Sequence, residues 1–110
     1  MIRFAQINMN GQRIVAEQLR DYCSAHDTDI ILAQEPPLTN NSTAVFGFNH
    51  GDIRTIMKPG TTDQPSGAAI IILNPRLSVI TPANQNANVA SMVMKLDRGR
   101  NIRVVSAYFK

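Results

Sequence analysis

Ile30-Ile31-Leu32-Ala33-Gln34-Glu35-Pro36-Pro37 is the stretch on which the reading of this chain turns. Four apolar residues run without a break, two polar ones follow, and two prolines stop the run, because proline removes ladder donors. Such a run reads as a strand covered on both faces. Just upstream, Asp27-Thr28-Asp29 closes a helix predicted from Gln12 to His26. Val15, Leu19, Tyr22 and Cys23, with Ile14 and Ala16 beside them, recur there at helical spacing, and Arg13, Glu17, Arg20 and Asp21 fall mainly on the other side. Further back, Asn10-Gly11 interrupts a first strand, Ile2 to Asn8, which carries apolar residues on both faces and is expected to be covered on both. Asn10 is the predicted N-cap of the helix. Strand, amphipathic helix and buried strand together read as a right-handed βαβ unit with parallel strands.

Downstream, Leu38 to Gly67 is a long polar stretch with Asn40-Asn41-Ser42-Thr43 and Pro59-Gly60-Thr61-Thr62, holding one strand near Asp52 to Met57. A loop this long in a compact domain is often functional. Ala68 to Leu73 reads as another buried strand and Leu77 to Ile80 as a short exposed edge. Val89 to Leu96 and Ile102 to Phe109 form a hairpin across the turn Asp97-Arg98-Gly99-Arg100. The chain opens as α/β and continues as antiparallel β, which predicts a sheet-rich α+β layer fold. Its last residues follow directly on an apolar strand without a closing helix. That pattern predicts an unpaired sheet edge and the front portion of a longer domain.

The whole chain has 110 residues, 44% apolar and 17% charged, with a formal net charge of +3. One domain with a real core fits that length. Mild basicity permits contact with nucleic acid without demanding it. The single cysteine, Cys23, excludes an internal disulfide framework and suits a reducing compartment. The longest apolar run, Ala68 to Leu73, is far short of the ~20 residues of a membrane helix, and no secretory signal opens the sequence. A soluble intracellular protein with no membrane partner is expected.

Asn8 and Glu35 stand at the carboxyl ends of the two predicted parallel strands, the rim where α/β sheets usually hold ligands. A carboxylate beside an amide suits a hard cation such as Mg²⁺, which keeps most of its waters. The same residues also fit a turn cap and a solvated strand end. His26, at a helix C-terminus, reads as structural, as does His50 in the long loop. Asp27 and Asp29 read as turn chemistry, Cys23, Met92 and Met94 as core, and Phe46-Gly47-Phe48 as a local hydrophobic anchor. Lys95, Arg98, Arg100, Arg103 and Lys110 gather five of the eleven basic residues into the last sixteen positions, where they fit either a solvated hairpin or phosphate contacts.

Gln6-Ile7-Asn8-Met9-Asn10, then a helix, then Asp29 to Pro36, resembles the opening of the endonuclease/exonuclease/phosphatase superfamily. The segment is most similar to the apurinic-type endonuclease domains of insect-like non-LTR retrotransposons. Ser66-Gly67-Ala68-Ala69-Ile70-Ile71-Ile72 resembles that family's third core strand, and Val104-Val105-Ser106-Ala107-Tyr108-Phe109 its strand bearing a tyrosine. The resemblance implies the first half of a two-sheet α/β sandwich. It further implies cleavage of DNA phosphodiester bonds with Mg²⁺ or Mn²⁺, and a nuclear location. Glu35 would then ligate the metal, Asn8 would share the metal site and orient the phosphate, and Tyr108 would offer a phosphate-side hydroxyl. Pro37 stands where many repair-type members carry a basic residue, which favours the retroelement branch. The family's later Asp-x-Asn and Ser-Asp-His motifs do not occur in the sequence. Two further readings share these residues: a non-catalytic remnant binding nucleic acid weakly or not at all, and a phosphatase of the same superfamily.

Overall fold

The computed structural model describes residues 1–40, 42–58, 66–82 and 85–109; Pro59 to Thr62, Asn41 and Lys110 lie outside them. Strands β1 (Phe4–Asn8), β2 (Ile30–Gln34), β3 (Arg54–Ile56) and β4 (Ala68–Ile72) form one sheet in the order β1-β2-β4-β3. Strands β5 (Val79–Ile80), β6 (Val89–Lys95) and β7 (Asn101–Ala107) form a second, in sequence order. The α-helix α1 (Arg13–Ala25) joins β1 to β2, which pair in parallel from Phe4↔Ile30 to Asn8↔Gln34. β4 runs antiparallel to both β2 and β3.

The two sheets pack face to face, with β7 against β2 and β4, and β6 against β4 and β3. All five residues of β4 and four of five in β2 are buried, as their unbroken apolar runs predict. Alternation then sorts each strand between two cores. Ile31, Ala33, Ala69 and Ile71 face Ala16, Leu19 and Cys23 of α1 together with Val45 and Phe48 of the long loop. Ile30, Ile70 and Ile72 face Ala90, Met92, Met94 and Val104 of the second sheet. The loop between β2 and β3 is therefore anchored by a small apolar plug, as Phe46-Gly47-Phe48 predicted.

Four sequence expectations change. β1 is an edge strand, and its face toward the second sheet is open: Phe4 is 48% exposed, and Gln6 and Asn8 are exposed with it. Ala5 and Ile7 pack on the helix-side core, and among the described residues the second sheet packs chiefly on β2, β3 and β4 and not on β1. Tyr22 is 55% exposed and stacks on His26, with ring centroids 4.0 Å apart. The buried stripe of α1 is Ala16, Leu19 and Cys23, at the spacing i, i+3, i+7. Asn10 is not the helix cap. The helix begins at Arg13 behind Gln12, with no side-chain cap, and Asn10 itself turns the chain at φ +51°. Finally, the last strand ends at Ala107, so Tyr108 stands just beyond it.

Candidate active site at the strand ends

Parallel pairing brings the carboxyl ends of β1 and β2 to one rim, and the backbone there is stitched tightly. Met9 N–H donates to Gln34 O at 2.9 Å and Gly11 N–H to Glu35 O at 2.8 Å. Glu35 N–H in turn donates to Gly67 O at 2.8 Å, tying the rim to the entrance of β4. Held by these bonds and followed by the buried Pro36 and Pro37, Glu35 adopts φ +47°. A left-handed conformation at a non-glycine residue persists only where its surroundings enforce it, and such residues cluster at functional sites.

The Tyr108 hydroxyl donates to Glu35 Oε1 at 2.9 Å, and Tyr108 N–H donates to Asn88 O at 2.8 Å. The hydrogen bond to Glu35, followed by partial burial and the nearby carboxylate charge, raises the phenol above its ordinary range. Asn8 lies next to Gln34 across the β1–β2 pair. Its Oδ1 accepts Asn10 N–H at 2.9 Å, which orients the amide and leaves one oxygen lone pair and the NH₂ group uncommitted by that bond. The structure therefore joins Glu35 and Tyr108 directly and sets Asn8 on the same rim.

Beneath this rim is a polar tie that sequence reasoning missed. Gln34 Nε2 donates to Ser106 Oγ at 3.0 Å, and Ser106 Oγ donates to Ala33 O at 3.0 Å. Both side chains are buried, and the pair fixes the end of β7, and with it Tyr108, to the end of β2. The sequence holds Gln34 at the end of the apolar run of β2 and Ser106 in the apolar second half of β7, but nothing in it sets the two side by side.

The remaining candidates lie away from the rim. His26 caps the far end of α1, with Nδ1 2.8 Å from Tyr22 O, and its carbonyl accepts from Arg3, which precedes β1. His50 precedes β3, whose first residue, Arg54, pairs with Ile72 at the opposite end of the sheet. Asp29 accepts from Arg3 N–H and Asn74 Nδ2 and serves turns at that same far end. Lys95, Arg98, Arg100 and Arg103 surround the β6–β7 turn, at the other end of β7 from Tyr108. At the usual rise per strand residue Arg103 is about 17 Å from Tyr108 and the turn about 23 Å, so one phosphate cannot meet both. Lys110 is outside the described residues. Cys23 is buried, and burial pushes its thiol up, which suits a core residue.

The donors at the rim fit a magnesium-like ion in kind: one carboxylate and one amide oxygen, both hard, for an ion that takes few protein ligands and keeps several waters. Among the described residues no group of three His, Cys, Asp or Glu side chains gathers anywhere, so an all-protein cage of soft or imidazole ligands is not offered.

No protein-family model matches the sequence, and no curated protein matches it significantly. A search of solved structures finds the endonuclease domain of TRAS1, a telomere-specific non-LTR retrotransposon, with a TM-score of 0.80 and 22% identity. The match covers all of this chain and 45% of that one. The chain thus has the fold of the corresponding part of that domain and spans less than half of its length.

Proposed function

We propose that the rim formed by Asn8, Glu35 and Tyr108 binds a divalent cation and a DNA phosphodiester. On this reading the chain is the metal-holding and phosphate-orienting part of an endonuclease domain. The observation that carries the reading is the Tyr108–Glu35 hydrogen bond at the strand ends of an endonuclease fold. It joins a phenol and a strained carboxylate from segments 73 residues apart. Glu35 and the Asn8 amide oxygen would hold Mg²⁺ or Mn²⁺. When bound, such an ion stabilises the charge that builds on a phosphate oxygen. The chain's own residues orient the group: the Asn8 NH₂ is a donor toward the phosphate, while the Tyr108 hydroxyl, its one proton on Glu35, holds that carboxylate in place and reaches the phosphate only by releasing it.

A base for the attacking water is a separate need. Among the described residues, Glu35 is the carboxylate at this rim and would be committed to the cation, and both histidines stand at the far end. The reading therefore assigns binding and orientation, and no proton abstraction, to the described residues. It is tested by fluorescence anisotropy of a labelled DNA duplex titrated with the protein. Binding that strengthens on adding Mg²⁺, with the gain lost in Glu35→Gln, supports the reading. Binding indifferent to Mg²⁺, or equally responsive in Glu35→Gln, contradicts it.

A further inference from the structure

Gly67 stands directly before β4 and is buried, yet its φ is not in the left-handed region that would demand glycine. The reason for glycine lies in space. A Cβ added there would fall 2.7 Å from Tyr108 Cδ2, 3.4 Å from Tyr108 Cγ and 2.8 Å from Asn88 Oδ1. Asn88 is exposed and its side-chain end can swing away. The Tyr108 ring cannot do so freely, because it is held at both ends: by Tyr108 N–H on Asn88 O and by the hydroxyl on Glu35. Gly67 is itself pinned, with its N–H on Ala87 O at 2.6 Å and its carbonyl on Glu35 N–H at 2.8 Å, so the backbone has little room to retreat.

We propose that Gly67 is a positioning residue, whose missing Cβ leaves the space in which the Tyr108 ring lies and so lets the phenol reach Glu35. Its bearing on phosphate orientation rests on the reading of the rim given above. The placement of the ring does not. A methyl group at residue 67 would fill that space, displace the ring and break the phenol–carboxylate contact, while the strands on either side kept their pairing.

The test uses the full chain in a Tyr22→Phe background, where Tyr108 is the only tyrosine. Raman scattering from the tyrosine ring then reports whether the Tyr108 hydroxyl donates a strong hydrogen bond. The parent is expected to show the donor signature, and Gly67→Ala to lose it as fully as Glu35→Ala does. Adding Asn88→Ala to Gly67→Ala should not restore it. An unchanged signature in Gly67→Ala overturns the proposal, and so does restoration by Asn88→Ala, which would make Asn88 the group displaced. A measurement on the parent needs no folded variant: nuclear Overhauser contacts are expected between the Tyr108 ring protons and the Gly67 α-protons, and their absence overturns the proposal. Failure of Mn²⁺ binding alongside these tyrosine results would instead defeat the reading of the rim and leave the role of Gly67 in place.

Discussion

Replacing Ser106 by alanine should loosen the buried polar tie that fixes the tyrosine-bearing strand to the glutamate-bearing one. Ser106 is 1% exposed and Gln34 8%, so both groups are shielded from bulk solvent. The substitution removes two hydrogen bonds, from Gln34 Nε2 to Ser106 Oγ and from Ser106 Oγ to Ala33 O, each 3.0 Å long. More important, it strands the Gln34 amide as a buried donor, which costs about 1–3 kcal/mol. At the usual per-residue unfolding entropy, a chain of 110 residues loses about 4 °C of melting temperature per kcal/mol, so Ser106→Ala should melt about 4–13 °C lower. Removing both polar groups should be gentler, because an apolar pair leaves no donor unmatched. Urea or thermal denaturation of Ser106→Ala, Gln34→Leu and the double variant closes the cycle. The double variant should lose clearly less than the sum of the two singles. Strict additivity, or a loss in Ser106→Ala below about 0.5 kcal/mol, the range of ordinary surface changes, would refute the account of the tie.

Leu19→Ala, on the buried stripe of α1, should cost about 2–5 kcal/mol in denaturant unfolding, whereas Tyr22→Ala on the exposed face should cost no more than about 1 kcal/mol. The reverse order would place the helix on the wrong face. The Tyr108 phenol, raised chiefly by its hydrogen bond to Glu35, should titrate above the ordinary tyrosine value of about 10 when followed by ultraviolet absorption. Because the folded state then holds this proton more tightly than the unfolded one, the contribution to stability is complete below about pH 10 and is lost as pH rises through the folded value. Glu35→Ala should remove the larger part of both effects and leave the part that comes from burial. Purified chain should not nick supercoiled plasmid appreciably with Mg²⁺, since the described residues of the rim include no water-activating base and such help is worth about 10²–10⁴ in rate. Metal-dependent nicking that Glu35→Ala abolishes would show that the rim suffices alone.

Much of the fold was legible because two kinds of apolar pattern are hard to misread. Continuous runs such as Ile30–Ala33 and Ala68–Ile72 became doubly covered strands, and the alternation at Ala90, Met92 and Met94 became the inner face of the second sheet. The misreadings share one cause: local pattern does not say what covers a face. Phe4 looks like a core residue and Tyr22 belongs to the apolar set of the helix, but each is exposed because no element among the described residues packs over it. The rim was legible in part. Strand ends located Asn8 and Glu35, and only the resemblance brought Tyr108 to them, since its partner is 73 residues away. The left-handed turn at Glu35, the buried tie between Gln34 and Ser106, and the space above Gly67 depend on contacts between segments distant in sequence. A chain read residue by residue carries no distance between them.

Mn²⁺ binding followed by proton–nitrogen correlation spectra tests the central claim most directly, because a paramagnetic ion broadens only the amides near it. The account predicts loss of signal from the amides of residues 8–11, 34 and 35, 67 and 108, reversed by excess Mg²⁺ and abolished by Glu35→Gln. Broadening centred elsewhere, such as the far end near Asp27 and Asp29, or broadening unchanged in Glu35→Gln, would contradict it.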